Sequence, residues 1–482
     1  MSSSADIITA QPDRQHYGIT FAVLALAGAS YALLQSAVAP ALPEIQADLH
    51  ASATSTAWLL TGYLLSASVL TPIIGRLGDM FGKERTLVAS LAILCFGVLL
   101  AALANSIGVL ILARVIQGSG GAIFPLAFGI IRDEFPRARA AQGIAMISAI
   151  LGIGGGLGII LAGPIIDTFD YHWLFWFPLV AVAGATVATI FFVPESPVKS
   201  PGRVDWMGAV LLAGWVVLVL LGISQAAEWG WGDPRVIGLI LAGLALLLVW
   251  VRVEGGSEEP LVDMGMMRIR GVWTVNAAAF LVGAGMYSSF ILFPEFTETS
   301  PNAGYGFGAS VTEAGLFLLP CTLAMLIVSP IAGWLAGRVG SRVTLIAGSL
   351  TTAAAFTLAA AAHQQPIDIY LSTGLLGVGI GLAFASLANL IVEAVPPNQT
   401  AVATGMNTVM RTLGGSVGGQ VGASLIAGTV TAAGLPTEHG FTLAFTLSAA
   451  ACLVAALASI IVPKPPRTAL QPRRAAALAA ES

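Results

Sequence analysis

Charge is what this chain lacks. Only 10% of its 482 residues are Asp, Glu, Lys or Arg, against about 25% in an ordinary soluble domain. No water-facing surface can be covered from so small a stock. Cysteine is scarce as well: Cys95, Cys321 and Cys452 sit far apart inside apolar runs. They read as small hydrophobic residues, which excludes a disulfide framework or a thiolate metal site. The five histidines fall in loops or at the ends of apolar runs, and neither His-Glu-x-x-His nor a clustered Asp/His pattern occurs. A membrane-embedded metalloenzyme is therefore not expected, nor is any metal or cofactor. No basic tract is present to hold nucleic acid, and a net charge of −4 points to no partner. No cleavable leader is expected, because residues 1–16 are polar and the first apolar run is already long enough to span a bilayer.

What is abundant is apolar sequence, 56% of the chain. A helix needs about 20 apolar residues to cross a hydrocarbon core roughly 30 Å thick. Apolar runs predict fourteen such spans, the first at 17–39 and the last at 441–462. They are expected to be helices, since an unpaired backbone group in lipid costs several kcal/mol. The 55 glycines and 25 prolines suit membrane helices. The cations test the count independently. With the N-terminus inside, 18 of the 21 Lys and Arg fall in inside loops or tails, and Arg235 alone falls outside. Arg114 and Arg411 lie within spans. The positive-inside rule thus predicts cytoplasmic N- and C-termini.

The chain also repeats itself. Pro72-Ile73-Ile74-Gly75-Arg76-Leu77 recurs as Pro330-Ile331-Ala332-Gly333-Trp334-Leu335, and Glu134-Phe135-Pro136 is echoed by Glu393-Ala394-Val395-Pro396. Two related six-helix halves are expected, with a substrate site between them. The predicted division is a cytoplasmic tail at 1–16, an N-terminal bundle at 17–193, a linker with an inserted hairpin at 194–271, a C-terminal bundle at 272–463 and a cytoplasmic tail at 464–482.

The loop Gly75-Arg76-Leu77-Gly78-Asp79-Met80-Phe81-Gly82-Lys83-Glu84-Arg85 strongly resembles the signature loop of the major facilitator superfamily. Gly75, Asp79, Gly82 and Lys83 match, while Met80 stands where that family usually has a cation. The resemblance implies that Asp79 helps lock the outward-facing state through a contact between halves, with Arg76 and Arg85 in the same conformational-lock loop. The alternative is a cationic loop that only sets topology. Leu110 to Gly118 resembles the superfamily's motif in span 4, where the arginine, here Arg114, is implicated in proton coupling; the alternative is an Arg held by backbone carbonyls. Gln117 lies on the same helix face.

Span 5 carries Gly152, Gly154, Gly155, Gly156, Gly158 and Gly163. Its position resembles the antiporter motif of exporters, although the motif's central prolines are missing. Close helix packing alone also explains these glycines, and Gly118 in span 4 belongs with them. Arg411 falls near the middle of span 13, with Asn407 one turn before it and Gly414, Gly415, Gly418 and Gly419 after it. A charge there is costly and marks a cavity or an inter-helix contact. Glu295 and Glu313 are the acids best placed for proton carriage, and Gln35 is a candidate cavity group.

Fourteen spans, the repeat and these motifs resemble the fourteen-helix drug:proton antiporter branch of that superfamily over about residues 17–463. The implied fold is an all-α polytopic membrane protein of two pseudo-symmetric six-helix bundles plus an inserted two-helix hairpin. The implied function is proton-coupled efflux of amphipathic or hydrophobic small molecules, with protons as the coupling ion. Transport of a lipid or metabolite by the same fold is the alternative reading, and a channel is the contrasting class. Many members of that branch carry an aspartate upstream of Ala41-Leu42-Pro43, but residues 29–40 contain no acid. Cationic substrates are therefore in doubt, and the coupling acid must lie elsewhere. The expected partners are a small-molecule substrate and the lipid bilayer of the cell membrane, and a monomer is expected.

Overall fold

A computed structural model describes residues 17–200, 202–429 and 436–463. The expected tails, with Arg14, Lys464, Arg467, Arg473 and Arg474, lie outside these residues. Among the described residues, thirteen helices are long and apolar enough to cross a bilayer. In the N-terminal half they are α1 (Tyr17–Ser36), α2 (Ser55–Phe81), α3 (Lys83–Ala102), α4 (Ile107–Glu134), α5 (Arg139–Ile166) and α6 (Trp173–Phe192). The hairpin is α7 (Trp206–Ala226) and α8 (Pro234–Gly256). The C-terminal half begins with α9 (Arg270–Glu298), α10 (Thr312–Val339), α11 (Ser341–Ala361) and α12 (Pro366–Ala394). The fourteenth expected span is α13 (Thr400–Ala427), and α14 (Glu438–Ile461) completes the half. With 28 residues α13 has the length to span but not the apolarity, because it packs against α2, α7 and α9 rather than facing lipid.

The two halves pack alike. In the first, α1 lies on α5 and α6, α2 on α4, and α3 on α6; in the second, α9 lies on α13 and α14, α10 on α12, and α11 on α14. Each half has its own apolar core, one centred on Leu24, Leu91 and Phe175, the other on Phe293, Phe356 and Phe445. The halves meet through two equivalent contacts, α5 with α10 and α13 with α2. A pseudo-twofold axis explains the sequence repeat physically: the same small-residue faces must seal both contacts.

Glycine makes those seams possible. On α5, a side chain at Gly154 or Gly158 would run into Ala32 or Ser36 of α1, and one at Gly152 or Gly156 into Met325 or Thr322 of α10. Two four-residue stripes on one helix thus serve two neighbours. Gly163 meets Thr312 in the same way, and Gly118 meets Ser66 of α2. On α13, Gly414 and Gly418 lie on backbone carbonyls of Phe280 and Ala284, while Gly415 and Gly419 face Tyr287 and Ile291 of α9.

The outer surface is apolar. Val180, Phe191 and Leu248 are 75%, 74% and 71% exposed. A belt of that kind is stable only against lipid. The hairpin joins the bundle unequally: α7 packs on α2 and α13, whereas α8 contacts chiefly α7.

Candidate transport cavity and its latch

The loops that carry most of the described cations gather at one end of the bundle, called here the cationic end. There the halves are sealed. Gly75 of α2 lies against the Ala401 carbonyl of α13, and Gly405 lies against Pro72, 3.0 Å from where its Cβ would stand. Asp79 is fully buried and accepts hydrogen bonds from the first free amides of α13: Ala401 N at 3.3 Å and Val402 N at 3.0 Å. A carboxylate suits that position, because a helix N-terminus has unpaired N–H groups and a positive dipole end. Gly333 stands where Gly75 does in the repeat, so Gly337 holds the place of Asp79. The seam on the other side, where Gly333 meets Gln142 of α5, therefore has no equivalent carboxylate from α10. The seal is latched on one side by charge and on the other by small residues.

The rest of the lock loop supports Asp79. Gly82 joins α2 to α3 at φ 117°, a conformation that favours glycine. Lys83 is fully buried, with Nζ 2.8 Å from Asp133 and 3.8 Å from Asp79, and it also donates to Ser196 at 3.4 Å. The linker after α6 is thus docked on the loop; Ser200 N donates to the Asp79 carbonyl at 2.6 Å. Arg76 donates to Ser200, and Arg85, largely exposed, sits 3.4 Å from Glu195. Arg132 adds a second tie between halves, donating to Thr400 Oγ1 at 2.7 Å and the Val395 carbonyl at 2.8 Å. Met80, where the resemblance leads one to expect a cation, is buried.

Toward the opposite end the halves part around a cavity of about 510 Å³. Its walls are chiefly apolar: Leu60, Leu64, Leu151, Ile159, Met286 and Phe290. A few polar groups are set among them: Gln35, Tyr287, Thr412, Ser416, Gln420 and, from the inserted hairpin, Ser224, Gln225 and Glu228. Gln35 Nε2 lies 3.4 Å from Tyr287 Oη, across the two halves. Such a site binds the body of a ligand by burial and orients it with few hydrogen bonds.

The structure gathers some of the expected site residues and disperses others. Gln35, Gly155, Gly415 and Gly419 line the cavity, and Arg411 lines a recess at its floor. Arg114 is fully buried behind Tyr63, with its carbon 4.1 Å from the ring centroid, and lines neither space. It donates to the carbonyls of Leu59 and Leu34, each at 3.1 Å, and to Gln117 Oε1 at 2.8 Å; Gln117 in turn donates to the Gly97 carbonyl. The geometry is that of an Arg held by backbone carbonyls. Asn407 is buried and bonded to Asn276 at 2.9 Å. Glu313 is exposed in a capping box with Ser310, and Glu295 is half-buried on α9; neither lines the cavity.

Sequence reading passed over Tyr287, Phe290 and the polar stripe of α13. Thr412, Ser416 and Gln420 recur every four residues in an otherwise small-residue helix, which is a signal of a shared face. Ser224 and Glu228 show the same spacing on α7. Among the described cavity-lining residues, Glu228 is the carboxylate.

Two bundles related by a pseudo-twofold, a cavity between them and a seal at one end define a carrier that works by alternating access. Comparison with known proteins is more specific. The family model of the Major Facilitator Superfamily matches residues 24–419 and 276–481, and the chain belongs to that family. It is a secondary transporter and not an enzyme. It is 30% identical over 383 residues to the tetracenomycin C resistance and export protein of Streptomyces glaucescens, covering 78% of this chain and 69% of that one. It is 30% identical over 403 residues to a multidrug resistance protein B homolog of Mycobacterium tuberculosis, covering 81% and 73%. The structure of the human organic anion transporter MFSD10 superposes with a TM-score of 0.65 over 93% of this chain and 100% of that one, at 17% identity. That likeness is one of fold.

Proposed function

We propose that this protein exports amphipathic or hydrophobic small molecules from the cell, drawing on the proton gradient. The cavity carries this reading: about 510 Å³ of mostly apolar wall between the halves, open away from the cationic end and sealed toward it. With that end cytoplasmic, as the positive-inside rule favours, the conformation is outward-facing, poised after release of substrate. Relatives named for multidrug resistance and for tetracenomycin C export support the same direction. The proton carrier in this reading is Glu228, which lines the cavity where Glu295 and Glu313 do not.

Everted membrane vesicles test the reading. ATP-driven acidification of the lumen should drive uptake of a fluorescent amphipathic dye in vesicles containing the protein. Nigericin, which collapses the pH gradient, should abolish that uptake. Accumulation that persists without the gradient rejects proton drive, and absence of any uptake rejects export.

A further inference from the structure

Arg411 is the unexplained charge of the bundle interior. It sits in the middle of α13, its guanidinium 4.7 Å over the Phe384 ring, and its Nε is buried without a hydrogen-bond partner. No carboxylate among the described residues lies within ion-pair distance of it. Arg76 and Arg114 also leave one buried nitrogen each without a partner, Nε and Nη2 respectively, but each is hydrogen-bonded through another nitrogen. Arg114 is tied to two carbonyls and Gln117, and Arg132 to Thr400 and a carbonyl. An intramembrane cation with no partner is costly and needs a reason.

The recess around Arg411 supplies one. It holds about 30 Å³ and is lined by Arg411, Tyr31, Gln35, Thr408, Thr412 and Tyr287, polar groups that carry no negative charge. It shares Gln35, Leu64, Leu151, Tyr287 and Thr412 with the large cavity, so the two spaces adjoin. The recess has room for a carboxylate or an acidic oxygen but not for a ring system, which must stay in the cavity above. Glu228, on the cavity wall contributed by α7, stands near the opposite end of the bundle from the cationic loops, away from the floor.

We infer that Arg411 is the anion subsite of the transport cavity and that the chain carries amphipathic organic acids, a deprotonated carboxylate or acidic phenol seated on the guanidinium and the apolar body between Leu64, Leu151 and Phe290. The inference rests on the carrier reading above and names the chemistry of its cargo. The empty acid position in α1 agrees with it, since residues 29–40 offer no charge that attracts a cation. Charge-assisted bonds to a planar guanidinium are stronger than neutral ones and favour a bidentate oxyanion.

Three pyrene probes with one ring system decide the matter: 1-pyrenebutyrate, 1-pyrenebutanol and 1-pyrenebutylammonium. Each is titrated calorimetrically at pH 7 into the full chain in dodecyl maltoside, with heats from protein-free micelles subtracted, and each is followed in proteoliposomes. The butyrate is expected to bind at least tenfold tighter than the alcohol and the ammonium more weakly than either. Arg411→Gln is expected to erase the butyrate advantage and leave the alcohol unchanged, while Arg411→Lys keeps part of it. Equal or tighter binding of the ammonium by the wild type overturns the inference without any variant. So does a monodisperse Arg411→Gln that keeps the full preference for butyrate. If the alcohol is bound and moved with no preference for the acid, the anion subsite fails and the carrier reading stands. If the wild type binds and moves none of the three, both fail.

Discussion

Replacing Asp79 by Asn tests the latch. The carboxylate accepts two amides of α13 at 3.3 and 3.0 Å in a site closed to solvent. Asn has one acceptor oxygen, so one charge-assisted bond is lost, about 1.5–3 kcal/mol, and its NH₂ is turned toward a backbone donor. The favourable interaction of the charge with the N-terminus of α13 is lost as well, about 0.3–1 kcal/mol. Lys83 is not orphaned, because Asp133 remains 2.8 Å away. The sealed state should therefore lose roughly 2–4 kcal/mol relative to the state open at the cationic end, a shift of roughly 30- to 700-fold. Ala388→Cys is a suitable reporter, since it is buried in the seam against the N-terminal half and the change in size is small. In a background free of Cys95, Cys321 and Cys452, its alkylation by N-ethylmaleimide reports the fraction of molecules open at that end. Asp79→Asn should raise the alkylation rate by at least 30-fold, roughly the lower bound of the worked energy. A change below threefold in folded protein would refute the latch.

The other expectations concern packing and charge. Gly414→Val places a side chain on the Phe280 carbonyl and should cost about 1–3 kcal/mol or more, read as a lower midpoint of heat-induced aggregation in detergent. Arg114→Gln should lower that midpoint by the equivalent of about 2–3 kcal/mol, because the carbonyls of Leu59 and Leu34 lose their charged donor. If it instead abolishes transport at unchanged thermal stability, its role is coupling rather than support. Glu228→Gln should stop proton-driven accumulation in everted vesicles while leaving counterflow exchange of preloaded dye intact. Equal loss of both would show that Glu228 does not carry the proton.

Much of this architecture is legible in the chain itself. Apolar run length, set by bilayer thickness, specified fourteen crossings, and cation placement separated one set of loops from the other. The recurring Pro-x-x-Gly segment marked two related halves. Asp79, Lys83 and the glycine stripes could be singled out because a charge or a run of glycine stands out against an apolar background. The signal was weakest at α13, whose neighbours are helices instead of lipid.

The partners of those residues were decided in three dimensions. Asp79 meets the amides of Ala401 and Val402 from more than 300 positions away, a pairing that no local pattern encodes. Arg114 and Arg411 look alike in sequence, each a lone cation within an apolar or small-residue helix. Folding ties the first to carbonyls and lays the second over a phenyl ring at the floor of a cavity, its Nε without a hydrogen-bond partner. The hairpin's contribution was equally hidden, since which face of α7 turns inward depends on its packing against α2 and α13. Lipid thickness acts on each helix separately, so a sequence carries its imprint. Cavity, latch and unpaired charge exist only between helices, where distant segments share space.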